Sequence, residues 1–133
     1  MWKDFSNYII ANYRNASLIV EVGVGGFPLV AFTLQEYLNM DIIMTDIKPY
    51  HDQIVVDDIT NPNINIYKNA SLIYSIRPPE ELQPYIKKVA VMVGADLIIK
   101  PLSTEFIKPD KGMKLINYKK AIFYQKCNNE MAE

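Results

Sequence analysis

Histidine, cysteine and tryptophan are almost missing from this chain of 133 residues: each occurs once, as His51, Cys127 and Trp2. One cysteine excludes a disulfide framework or a thiolate metal site within a chain, and it fits a reducing, cytoplasmic setting. A lone histidine in a polar loop beside Asp52 is poor ligand chemistry, and His51 is expected to be solvated. Excess charge is missing too. Fourteen basic residues against fifteen acidic ones leave a formal net charge of −1, without the electrostatic signature of a dedicated nucleic-acid binder. What is left is a local patch at Lys108, Lys111, Lys114, Lys119 and Lys120, read as solubilising a terminal hairpin or as a weak RNA contact. No apolar run approaches the roughly twenty residues that span a bilayer, and the start Met1-Trp-Lys-Asp-Phe-Ser has no signal-peptide pattern. The expectation is one domain over residues 1–133, half of it apolar, with no membrane segment and no room for a separate substrate domain.

What the chain does have is Leu18-Ile-Val-Glu21-Val-Gly23-Val-Gly25-Gly26-Phe-Pro28, an apolar strand entering a glycine turn and then an apolar helix. Glycines let the backbone turn tightly and approach a ligand, while the helix start presents free N–H groups and a positive dipole end. Pro28 suits the first helical turn. A nucleotide-type ligand follows as the leading idea.

Around that turn, period and punctuation place the other elements. Trp2, Phe5, Tyr8, Ile9 and Tyr13 share one helical face, predicting a leading helix that ends near Asn15. The helix after the glycines closes at Asn39. Short continuous apolar runs predict strands at 18–22, 41–45, 53–56, 71–75 and 95–99, buried on both faces. A helix over 79–93 should be kinked or delayed by Pro84 and capped by Gly94. Residues 101–111 read as a loop, followed by a strand pair at 113–117 and 121–125. This pattern predicts an α/β, Rossmann-like, mostly parallel sheet of about six or seven strands with a trimmed helix set, whose ligands lie beyond the C-terminal strand ends. Those ends carry Glu21, Asp46, Asp57, Asp58, Arg77 and Lys100. One connection is short: only residues 47–52 separate the second strand from the third, where a parallel crossover normally takes a dozen or more. A bare loop turning at Lys48-Pro49-Tyr50-His51 is the favoured solution, an irregular or antiparallel third strand the alternative.

Glu21-x-Gly23-x-Gly25, Asp46 about twenty residues on, and Asp58-Ile59-Thr60 after the third strand give the chain its resemblance to class I S-adenosylmethionine-dependent methyltransferases, over about residues 16–125. It looks most like short archaeal proteins of unknown activity with this trimmed core, Ser75-Ile-Arg77-Pro78-Pro79 being a second point of likeness. The resemblance implies S-adenosylmethionine as cofactor, with Glu21 near its methionine end, Gly23, Gly25 and Gly26 beneath it, Asp46 on the ribose hydroxyls and Asp58 at the adenine amino group. It departs from the family pattern at Phe27, where a third glycine is common, in the missing helix after the second strand, and in lacking a helical cap for substrate selection.

Each feature also has a plainer reading. The turn can simply close a tight corner, and Asp57 with Asp58 can cap the turn at Asn61-Pro62. NAD would use the same turn and Asp46, but Pro28 stands where the dinucleotide pattern wants a small residue, and Glu21 sits badly beside a pyrophosphate. A magnesium site would need Asp46, Asp57 and Asp58 to converge, so no metal site is assigned. Arg77, held extended by the next proline, would present its fork over the strand end to an anionic acceptor or pair with a neighbouring aspartate. Lys100 resembles the lysine of ribose-methylating members, yet the acidic partners expected after the fourth strand and in the last one are absent. Arg77 and Lys100 are therefore the weak catalytic candidates. The expected function is a nucleotide-type crevice, in a minimal methyltransferase or, alternatively, in a non-catalytic binding or regulatory module. A purely structural partner subunit is the third class.

Overall fold

A computed structural model describes residues 2–101 and 112–128; most of the loop expected over 101–111 lies outside them. The elements in chain order are α1 Trp2–Asn12, β1 Ile19–Val22, α2 Leu29–Leu38, β2 Ile42–Asp46, β3 Ile54–Val56, α3 Ile64–Tyr67, β4 Leu72–Ile76, a 3₁₀ turn Glu80–Leu82, α4 Gln83–Val93, β5 Asp96–Lys100, β6 Lys114–Tyr118 and β7 Ala121–Lys126. The strands form one sheet in the order β3-β2-β1-β4-β5-β7-β6. β1 to β5 run parallel and the C-terminal pair antiparallel, the mixed Rossmann-like sheet expected.

Strand alternation sorts the core into two layers. Ile19, Leu72, Tyr74 and Phe123 pack with Phe5, Ile9 and Leu34 of α1 and α2. Val20, Ile73, Leu97 and Ile99 pack with Tyr67 of α3 and with Ile86 and Val89 of α4. A fully buried side chain such as Leu34 contributes roughly 1.5–3 kcal/mol in transfer free energy. Far from the C-terminal strand ends, Tyr8 donates to Gln125 Oε1, Gln125 donates to Tyr13 (2.7 Å) and Tyr13 to Asp96 at the start of β5 (2.8 Å). That chain of bonds ties α1 to the sheet and is remote from the crevice.

Helix ends follow the sequence signals, with Asn39 and Gly94 both left-handed C-caps. Pro84 falls in the first turn of α4 and delays rather than kinks it, since a 3₁₀ turn comes first. α1 stops at Asn12, three residues before the expected end; Tyr13 still bonds back to Ile9, and Ala16 N–H then turns onto Tyr13 O. The short connection is the bare loop: β3 pairs parallel with β2, Met44 opposite Ile54, with no helix between them. No described helix is long and apolar enough to cross a membrane.

Candidate functional site

The glycine turn leaves β1 still bonded to β2. Gly23 and Val24 N–H both donate to Thr45 O, at 2.8 and 3.1 Å. Gly23 and Gly25 have φ of +71° and +60°, the left-handed region that favours glycine. A Cβ built on Gly25 or Gly26 would meet nothing within 4 Å, so it is backbone conformation, not crowding, that calls for Gly25. The space over the turn is open. Pro28 is the N-cap of α2 and leaves its first turn without a side-chain cap, so the N–H groups at that end stay available.

Asp46 completes the turn. Its Oδ2 accepts the Gly25 N–H at 2.8 Å and its Oδ1 the Lys48 N–H at 3.1 Å. Each carboxylate oxygen keeps further acceptor capacity, so holding the turn does not use up the group. Beside it, Ile47 is 62% exposed, an apolar surface at the end of β2 that sequence reasoning passed over. Its signal was position: a large aliphatic residue just after a strand-ending acid has no core to enter.

Glu21 shares its sheet face with Ile19 and is only 1% exposed. The buried Tyr74 hydroxyl donates to Oε1 at 2.7 Å. Burial pushes the Glu21 carboxyl up to about 8, against the smaller lowering effect of that bond. Glu21 is thus a largely neutral acid beneath the turn.

The acidic pair after β3 divides its work. Asp57 accepts the Tyr67 hydroxyl (2.6 Å) and the Asn63 N–H (3.0 Å), anchoring α3. Asp58 is exposed, and its Oδ1 accepts the hydroxyl and N–H of Thr60, which hold its carboxyl below the ordinary value. Both therefore do the turn-capping work of the plainer reading, and no group of three metal-binding side chains converges among the described residues. The structure joins Asp46 to the glycine turn and leaves Asp58 on an outer turn.

Arg77 departs from expectation. Its φ is +56°, left-handed rather than extended, because its N–H donates to Lys100 O at 2.6 Å, one step beyond the Ile76–Lys100 pair, and the chain then turns sharply into Pro78. Its guanidinium lies 5.1 Å from the centre of the Trp2 ring rather than beside the aspartates. Trp2 also packs against Phe27 of the glycine turn, at 5.3 Å. Helix α1 thus reaches across from the turn to the end of β4, a contact invisible in a periodicity that made Trp2 an ordinary core residue. Lys100 is 7% exposed, and burial first, then the Arg77 charge, lowers its pKa. Ser75, at the end of β4, donates to Val22 O at 2.7 Å. His51, expected to be solvated, is half-buried, and its Nε2 is buried.

Three comparisons bear on this arrangement. A model described as an uncharacterised protein family, UPF0146, matches residues 2–128. A UPF0146 protein of Methanothermobacter thermautotrophicus is 47% identical over 125 residues, 94% of either chain. One from Archaeoglobus fulgidus is 42% identical over 123 residues, covering 90% of this chain and 89% of the relative. Among solved structures, a mutant of MtNAS in complex with S-adenosylmethionine aligns over 95% of this chain and 62% of its own, with a TM-score of 0.62 at 14% identity. The fibrillarin/Nop5p complex gives 0.59 at 12% identity, covering 95% of this chain and 81% of that one. The antibiotic-resistance methyltransferase Kmr gives 0.58 at 10%, covering 96% and 93%. At these identities the likeness is one of fold.

Proposed function

The chain belongs to the UPF0146 family, and from that premise we propose that it binds S-adenosylmethionine in the crevice over Gly23–Gly26, as a minimal methyltransferase acting on an anionic acceptor. The observation that carries this reading is the bond from Gly25 N–H to Asp46 Oδ2. It places a carboxylate with spare acceptor capacity beside open glycine backbone at adjacent parallel strand ends, where this class of sheet takes its ligands. The residues fit the group: Asp46 suits a pair of ribose hydroxyls, exposed Ile47 offers a face to a base, and the turn leaves room that a Cβ would fill. Glu21 lies buried beneath the turn as a neutral acid bonded to Tyr74 and supports the turn from below, while Asp58 stays on the outer turn with Thr60. When bound, the cofactor supplies an electrophilic methyl group.

Arg77 and Lys100 stand together after β4 and β5, where two adjacent cations favour an anionic or phosphate-bearing acceptor such as RNA. A buried lysine with a lowered pKa is also suited to take a proton from an acceptor hydroxyl. One observation favours the second reading, a non-catalytic binding module: the β4 end offers Ser75, whose hydroxyl is turned back onto Val22 O.

Calorimetry with S-adenosylmethionine, S-adenosylhomocysteine, NAD and ATP tests the binding. The first two should bind at least tenfold more tightly than NAD; NAD or ATP binding as well, or no binding of any, overturns the reading. An R77A/K100A variant should keep S-adenosylmethionine affinity within a few fold while losing acceptor captured from native extract. Unchanged capture would remove the anionic acceptor.

A further inference from the structure

Among the described residues, the exposed guanidinium of Arg77 has no hydrogen-bond or ion-pair partner. The carboxylates at the neighbouring strand ends are taken up by their own turns: Asp46 by Gly25 and Lys48, Asp57 by Tyr67 and Asn63. What meets the guanidinium is a ring, with Trp2 centred 5.1 Å away. A cation over an aromatic face is held by the charge distribution of the ring and not by an acceptor, so its donors remain for a ligand. A salt bridge would do the reverse and hold the group by using those donors up.

Trp2 is a fixed support for that cation. Its ring packs against Phe27 of the glycine turn at 5.3 Å and edge-on to the buried Phe5 at 6.5 Å. Phe5 and Ile9 anchor the rest of α1 in the core. Arg77 itself leaves the sheet through a left-handed residue, φ +56°, bonded by its N–H to Lys100 O. Its charge helps to lower the pKa of Lys100, which marks the two cations as near neighbours at the ends of β4 and β5. A long exposed arginine loses several torsions' freedom when it grips an anion, and one immobilised beforehand loses less.

We propose that Trp2 is the positioning residue of the acceptor site. Its ring holds the Arg77 guanidinium, donors unspent, at the end of β4 for a phosphate-bearing acceptor, and its packing on Phe27 ties that cation to the glycine turn. The inference rests on the anionic-acceptor reading above for what Arg77 grips, and on the Trp2 contacts for how it is held.

The chain has two arginines, Arg14 and Arg77, so their side-chain Nε–H signals are readily told apart by NMR. In the wild type, relaxation should show Arg77 more ordered than the exposed Arg14. Trp2→Leu keeps an apolar side chain against Phe5 and Phe27 but removes the aromatic face, whereas Trp2→Phe keeps both. Arg77 should become as mobile as Arg14 in W2L and stay ordered in W2F. Inorganic pyrophosphate, as the anionic probe, should bind W2L roughly two- to fivefold more weakly than W2F, the range of one cation–π contact at an exposed site, and R77A at least tenfold more weakly than wild type. A purely structural Trp2 would treat Leu and Phe alike, so equal Arg77 order or equal affinity in those two variants overturns the proposal. So does a wild-type Arg77 as mobile as Arg14, a comparison that stands even where W2L fails to fold, and so does pyrophosphate that binds the wild type without saturation or R77A unchanged. Neither readout involves the cofactor, which keeps a failure here distinct from a failure of S-adenosylmethionine to bind.

Discussion

Tyr74 donates its hydroxyl proton to Glu21 Oε1 at 2.7 Å across the β1–β4 pair, and neither side chain is more than 1% exposed. With its carboxyl pushed from an ordinary 4.5 to about 8, Glu21 is protonated in the folded chain and ionised in the unfolded one between those values. The native state then binds the extra proton, so Glu21's contribution to stability is full below pH 4.5 and is lost as pH rises through 8. The loss is on the order of a few kcal/mol. Glu21→Gln, neutral at every pH, should flatten that slope in denaturant unfolding measured from pH 5 to 8.5. An unchanged slope would mean that Glu21 is ionised in place.

Asp46 has a structural and a binding role that one substitution should expose together. Asp46→Ala removes the acceptor for the Gly25 and Lys48 N–H groups and a partner for ribose hydroxyls. We expect a loss of about 1–3 kcal/mol in S-adenosylhomocysteine affinity by calorimetry, together with a lower melting temperature. Affinity equal to wild type would take Asp46 out of the site.

Neighbouring glycines should separate conformation from access. Gly25 has φ +60° and Gly26 no positive φ, and both face open space. Gly25→Val should cost about 1–3 kcal/mol of stability through backbone strain. Gly26→Val should keep its melting temperature and lose ligand. Equal melting temperatures for the two variants would contradict the assigned turn geometry.

At Arg77 the strained backbone can be separated from the side chain. A left-handed non-glycine residue costs roughly 1–2 kcal/mol, offset by about 0.4–1 kcal/mol of extra unfolded-chain entropy when glycine replaces it. Arg77→Gly should therefore be about 0.5–1 kcal/mol more stable than Arg77→Ala by denaturant unfolding. The reverse order would indicate that the backbone there relaxes at no cost.

Where local chemistry decides structure, the sequence was legible. Asn39 and Gly94 each stop a helix because both tolerate the left-handed region, and the short stretch expected between the second and third strands, residues 47–52, left no room for a crossover helix. Four-residue α3 escaped because it is too short to show a period; its signal was Asn63, whose side chain caps Asn65 N–H. The Arg77 backbone escaped because the rule for residues before proline favours an extended conformation, whereas the left-handed one observed accompanies a bond from its N–H to Lys100 O on the neighbouring strand. Around the candidate site, the positions of Glu21, the glycine turn and Asp46 at successive strand ends could be read from the sequence, while their roles at a cofactor came from the family resemblance. The depth of Glu21, the Trp2–Arg77 contact and the orphan nitrogen of His51 arise from packing between segments far apart in the chain or from loop geometry, which no spacing encodes.

The same economy that removed the helix after β2 leaves one margin of the sheet bare. β3 has three residues, with Val55 and Val56 40% and 56% exposed. A long apolar margin would invite another chain to zip on. Three residues offer too few free backbone groups in a row for that, so brevity here guards against self-assembly in place of the covering helix.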